Sequence, residues 1–87
     1  MKAQALIARN LRRIRVQQGL SQENLAVDAG VDRSYMSRLE RGLENPSIAI
    51  LERLSHALNT EIIELFIVPK KNEPPPKPLP SGRRSRR

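Results

Sequence analysis

Cysteine and tryptophan are absent from this chain, and its aromatic side chains are limited to Tyr35 and Phe66. Without cysteine there can be no disulfide staple and no thiolate metal site. No apolar run approaches the ~18 residues that a membrane span requires, and the opening MKAQALIARN lacks the apolar segment of a secretory signal. A soluble protein of the cytoplasm is therefore expected. His56 is the single histidine, with neither a cysteine nor a second histidine to share a metal. Its neighbour Ser55 points to a different side of a helix, which leaves no serine triad. With no glycine-rich phosphate loop either, the chain offers no enzyme chemistry and calls for no cofactor. Its 87 residues make one small domain at most. The stability of such a domain is on the order of a few kcal/mol, and a partner chain is a common remedy.

The net charge of +7 is unevenly distributed. Residues 1–67 carry nine Lys or Arg against eight Asp or Glu, a net of +1, whereas residues 68–87 carry seven against one, a net of +6. The basic composition thus belongs to a tail, PKKNEPPPKPLPSGRRSRR, which holds six prolines and no apolar periodicity. That composition predicts a flexible Pro-rich and Arg-rich extension over 68–87, a spacer with polyproline bias whose RRSRR end can touch phosphate. Within residues 1–67 the charge is polarised. Lys2, Arg9, Arg12, Arg13 and Arg15 lie in the first helical stretch and Arg33, Arg38 and Arg41 in the third, while Glu52, Glu61 and Glu64 lie in the last two. Such a dipole turns one face toward phosphate; the plainer reading is a set of solvated helix faces.

What the chain does contain is punctuation. Gly19, Gly30 and Gly42 stop three helical patterns, and each of the first two stops is followed by an apolar residue and a capping side chain: Leu20-Ser21, then Val31-Asp32. Leu25 and Met36 fall at N4 of the helices so begun, where a hydrophobic staple needs its partner. The first helix is predicted from about Ala3 to Gln18, with Ile7, Leu11 and Ile14 inward. A third is predicted over about 33–41, after the cap Asp32, and a fourth after Ser47, burying Ile48, Leu51, Leu54 and Leu58. Asn59 can take the left-handed stop, and a short fifth helix begins near Thr60 or Glu61. On the third helix Met36 and Leu39 face the core. Arg33, Ser34, Ser37 and Arg38 face solvent, where an arginine can grip guanine O6 and N7 and a serine can meet several bases. Each arginine could instead hold a phosphate or a surface ion pair. Tyr35 can pack its ring on the domain while its hydroxyl reaches phosphate. Gln22, at the first turn of the second helix, can add a hydrogen bond to a phosphate drawn by the free N–H groups there.

Leu20-Ser21-Gln22, Leu25-Ala26, Ala29-Gly30-Val31, Ser34-Tyr35-Met36-Ser37, Glu40-Arg41-Gly42 and Asn45-Pro46-Ser47 resemble the Cro/C1-type, or XRE, family of helix-turn-helix regulators over roughly residues 5–67. The resemblance implies an all-α, compact five-helix, lambda-repressor-like domain over 1–67 that places the second helix of the motif in the major groove of double-stranded DNA. It implies base contacts from Arg33, Ser34 and Arg38, with Ser37 an occasional contributor. It implies phosphate contacts from Gln22 and from the Arg41–Asn45 loop, and a structural salt bridge between Arg15 and Glu40.

Ile62, Leu65 and Phe66 suffice for a short helix's share of the core, so Ile63 and Ile67 form a second stripe, read as a dimer interface. A helix buried all round, or a strand beyond Phe66, are the alternatives. A two-fold dimer would set two recognition helices about 34 Å apart on a palindromic operator. The expected function is sequence-specific transcriptional regulation, without a membrane partner and in association with the nucleoid. Alternatives are the controller of a restriction-modification operon, an antitoxin of the same fold, or, in a different class, a protein-interaction module or basic coactivator built on the fold.

Overall fold

The computed structural model describes residues 2–70, 74 and 75. Among these residues four α-helices follow one another: α1 (Ala3–Gln17), α2 (Gln22–Ala29), α3 (Arg33–Glu40) and α4 (Ile48–Ala57). A 3₁₀ turn, Ile62–Phe66, closes the domain, and no strand occurs among the described residues. Most of the basic tail, including its RRSRR end, lies outside the described residues.

The helix boundaries are set by side chains adjacent in sequence. Ser21, Asp32 and Ser47 cap α2, α3 and α4, accepting from the backbone N–H groups of Asn24 at 3.0 Å, Ser34 at 2.9 Å and Ile50 at 3.1 Å. At the other end all four helices close with the same pair of backbone hydrogen bonds. Leu20, Val31, Leu43 and Thr60 donate to the carbonyls of Arg15, Ala26, Arg38 and Ser55 at 2.9–3.0 Å, and the residue before each donates to the carbonyl three positions earlier. This is the Schellman closure, which needs a left-handed residue just past the helix. Glycine supplies it three times and Asn59, at φ 53°, supplies it once. At Gly30 a second constraint acts: a Cβ there would stand 3.4 Å from Nη2 of Arg53, which donates to the Gly30 carbonyl at 2.6 Å while Nε donates to Ala29 at 3.0 Å. Arg53 of α4 thus brings a positive charge to the C-terminus of α2, where the helix dipole favours it.

The core is aliphatic, built from Ile7, Leu11 and Ile14 of α1, Leu25, Ala26 and Ala29 of α2, Met36 and Leu39 of α3, Leu51 and Leu54 of α4, then Leu58 and Leu65. Leu20 and Val31, the apolar residues before the two caps, pack against it. α1 lies against α3 and the 3₁₀ turn, while α2 lies against α3 and α4.

Two expectations about apolar residues are corrected. Ile48 is 65% exposed. As the first residue of α4 it has no preceding helical turn to lean back on and stays clear of the core, whereas Leu51, one turn further in, is buried. Phe66 is 38% exposed, not a core residue. The closing segment winds as 3₁₀, with 3.0 residues per turn, so Ile62 aligns with Leu65 and Phe66 aligns with Ile63. The fully buried amide of Asn10 fixes this segment: Nδ2 donates to the carbonyls of Leu65 at 3.0 Å and Ile67 at 2.9 Å, and Oδ1 accepts from Nη2 of Arg13 at 3.1 Å. Backbone beyond Phe66 is extended at Ile67 but pairs into no strand among the described residues.

Candidate nucleic-acid interface

Because Met36 and Leu39 are turned into the core, the opposite side of α3 is presented outward. Arg33 and Ser34 are exposed, and Ser37 and Arg38 are half-buried. These four meet Gln22, from the first turn of α2, and Arg41, just past α3, around one shallow groove. The groove therefore gathers Gln22, Arg33, Ser34, Ser37, Arg38 and Arg41, whereas Tyr35 and Asn45 do not line it. Tyr35 is half-buried against the core and Asn45 is exposed on the loop after α3. Among the described residues Arg33 and Arg41 have no ion-pair partner.

Beneath the groove lies a buried ionic joint. Nε and Nη2 of Arg15 donate to the two carboxylate oxygens of Glu40 at 2.6 and 2.9 Å, and Nη1 donates to the Leu20 carbonyl at 2.7 Å. The Arg15 and Glu40 side chains are only 7% and 1% exposed. Nε2 of Gln22 also donates to Glu40, at 3.0 Å. One carboxylate at the end of α3 thereby ties α1 and α2 together, and Gln22 braces α3 from the edge of the groove. Arg12, one turn before Arg15, brings its Nε to 3.9 Å from Oε1 of Glu40. That Nε is buried without a hydrogen bond, although 41% of the side chain is exposed.

Arg38 is not simply solvent-facing. Its Nε donates to Oε2 of Glu44 at 2.6 Å, with the two side chains 43% and 26% exposed. Nε2 of Gln4 donates to the backbone carbonyl of Glu44 at 2.9 Å, anchoring the loop to the start of α1. Sequence reading did not single out Glu44, because the pair bridges the end of α3 and has no helical periodicity to reveal it. Arg12 had a visible signal: it precedes Arg15 by three, hence shares its face.

Two ionisable groups at this surface are displaced from their ordinary pKa values. The Ser34 side chain, then the backbone N–H groups of Ser34 and Tyr35, and finally the Arg38 charge hold the exposed Asp32 carboxyl below the usual carboxylate range. Burial pushes the Tyr35 phenol up, as does the Glu44 charge, so its hydroxyl remains a donor at neutral pH. A depressed carboxyl stabilises the fold while it is ionised; this contribution is complete at neutral pH and is lost as pH falls through the folded-state value. Asp32→Asn keeps a competent cap but removes the titration. Thermal melts between neutral and acid pH should show a shallower decline in Tm for Asp32→Asn than for the wild type, and superimposable profiles would contradict this.

A short turn joins α2 to α3, an ionic joint braces both, and the outer face of α3 is rich in hydrogen-bonding side chains: this is the architecture of a helix-turn-helix domain. A family model described as "Helix-turn-helix" (HTH_3) matches residues 11–65, and the chain belongs to that family. The HTH-type transcriptional regulator SlrR of Bacillus subtilis is 44% identical over 62 residues, which are 70% of this chain and 41% of that protein. This chain thus spans less than half the length of that relative. The crystal structure of the restriction-modification controller protein C.AhdI from Aeromonas hydrophila superposes with a TM-score of 0.71 at 43% identity, covering 72% of this chain and 96% of that one. The controller protein C.Esp1396I, solved as a tetramer in complex with its natural 35 base-pair operator, gives a TM-score of 0.70 at 29% identity over 76% of this chain and 87% of that one.

Proposed function

We propose that the protein is a sequence-specific transcriptional regulator that binds a palindromic operator as a homodimer, with α3 in the major groove. The observation that carries this reading is the single groove where the outer face of α3 meets the first turn of α2, lined by Arg33, Ser34, Ser37 and Arg38 together with Gln22 and Arg41. Arg33 and Arg38 supply guanidinium forks for guanine, and Ser34 and Ser37 supply hydroxyls for neighbouring base edges. Gln22 and Arg41 at the margins, with Tyr35 and Asn45 beside them, hold the phosphates that fix the register. The half-exposed Arg12 side chain adds a further positive charge on α1. Ile63 at 67% and Ile67 at 42% exposure, with Phe66 and Val68, leave an apolar edge for the second copy.

Arg38→Ala tests the role of α3. Losing one bidentate base contact costs about 1–3 kcal/mol, or roughly a 5- to 150-fold loss of operator affinity. Fluorescence anisotropy at fixed salt should show that loss, with a smaller change on scrambled DNA. Unchanged operator affinity would take Arg38 out of base reading and favour a protein-interaction module using the same scaffold. A second reading within the class, the controller of a restriction-modification operon, is supported by the match along 96% of C.AhdI. It requires that the bound site lie upstream of a methyltransferase or endonuclease gene.

A further inference from the structure

We infer that Glu44 is a specificity-positioning residue, which holds Arg38 by its Nε so that the guanidinium meets a base edge and is kept off the phosphate backbone. The inference rests on the docking of α3 proposed above. Its basis is the geometry of the α3–α4 loop. Oε2 of Glu44 accepts from Nε of Arg38 at 2.6 Å, while the backbone of the same residue is fixed by Gln4 at 2.9 Å. The preceding residue, Leu43, donates to the Arg38 carbonyl at 3.0 Å. The carboxylate therefore stands on a loop tied at one point to α1 and at another to the Arg38 backbone, and it is only 26% exposed.

An arginine beside DNA has two competing partners. A phosphate oxygen attracts it on any sequence, whereas O6 and N7 of guanine reward it only when its planar fork is correctly aimed. Engaging Nε with a carboxylate leaves the two terminal amino groups, which make no hydrogen bond to the described residues, as the edge offered to DNA. The same negative charge opposes the alternative pose, because an Arg38 that swings to phosphate leaves Glu44 unpaired beside a polyanion. Specificity is a difference between affinities, and a residue that weakens the wrong complex more than the right one increases it. Glu44 has that property, since it neutralises one cation on non-specific DNA and organises that cation on the operator.

The experiment compares the full chain with Glu44→Ala, Glu44→Gln, Arg38→Ala and the Arg38→Ala/Glu44→Ala double variant. Bound duplexes are selected from a randomised library, and affinities for the selected wild-type site and a scrambled duplex are measured across a salt series. Glu44→Ala should relax guanine preference at the position that Arg38→Ala relaxes and lower the specific-to-non-specific ratio about fivefold or more. Its salt slope on scrambled DNA should steepen by about 0.9, the signature of one more phosphate contact. Glu44→Gln, which keeps an acceptor oxygen, should fall between, and Glu44→Ala should have no effect at that position once Arg38 is alanine. The inference is overturned if base preference survives in Glu44→Ala, if both affinities rise by one common factor, or if the change persists without Arg38, which would make Glu44 a reader on its own. A wild-type chain that selects no sequence would instead overturn the docking of α3, a result distinguishable from all three.

Discussion

Glu40→Ala is expected to lower the unfolding free energy by about 3–5 kcal/mol, the range for removing one member of a buried ion pair. The size follows from what would be left behind. Arg15 is 7% exposed and its other contact is the Leu20 carbonyl, so without Glu40 its charge has no anion, and Gln22 loses its acceptor as well. A domain of this size holds roughly 3–10 kcal/mol in total, and each kcal/mol is worth about 4–8 °C in Tm. The variant should therefore melt on the order of 15 °C or more below the wild type by circular dichroism, with much of it unfolded at physiological temperature. The reciprocal change, Arg15→Ala, should cost less. Glu40 would keep its hydrogen bond from Gln22, and Arg12, already 3.9 Å away with an unpaired Nε, can close on it. Equal losses would contradict that asymmetry, and a Glu40→Ala melt within a few degrees of the wild type would remove the joint from the account of the fold.

Ile63→Asp is expected to leave the helical fold intact and to abolish the dimer. Ile63 is 67% exposed, so a carboxylate there meets water in the monomer. In a two-fold interface it would meet its own copy across an apolar contact, where an unpaired charge is costly. Sedimentation at micromolar concentration should then show monomer where the wild type shows dimer. Affinity for a full palindrome should fall by about 10²–10⁴-fold as bivalency is lost, while affinity for an isolated half-site should hold. The 3₁₀ winding makes Phe66→Asp a close second, since Phe66 shares the face of Ile63. A wild type that is monomeric, or a variant that still binds the palindrome as tightly, would contradict this role for the edge.

The parts of the structure that were legible in the sequence are those decided locally. Ser21, Asp32 and Ser47 cap helices that begin one residue later, and Gly19, Gly30, Gly42 and Asn59 take the left-handed conformation that closes four helices. Those signals act within a few residues of the chain, so they are written together. The closing segment was harder to read because 3.6 and 3.0 residues per turn make similar demands on five residues. What accompanies the 3₁₀ phase is a pair of hydrogen bonds from Asn10, 55 and 57 positions away. Arg53, whose partner Ala29 at the end of α2 is 24 positions away, is hidden for the same reason. The outward face of α3 was readable from Met36 and Leu39, yet the Arg38–Glu44 pair was not, since its partner lies past the helix end where periodicity stops. Arg15 and Glu40, 25 positions apart, could be paired only through resemblance to a known family, because nothing in their spacing brings them together.

If two copies of α3 read DNA about a two-fold axis, the bound site must itself be symmetric. Selection of bound duplexes from a fully randomised library by the wild-type chain reveals whether it is. A two-fold symmetric consensus is expected, with half-sites centred about 34 Å apart, one helical turn, or a multiple of it, and guanine prominent in each half. An enriched pool no different from the starting library, or a consensus without two-fold symmetry, would contradict it.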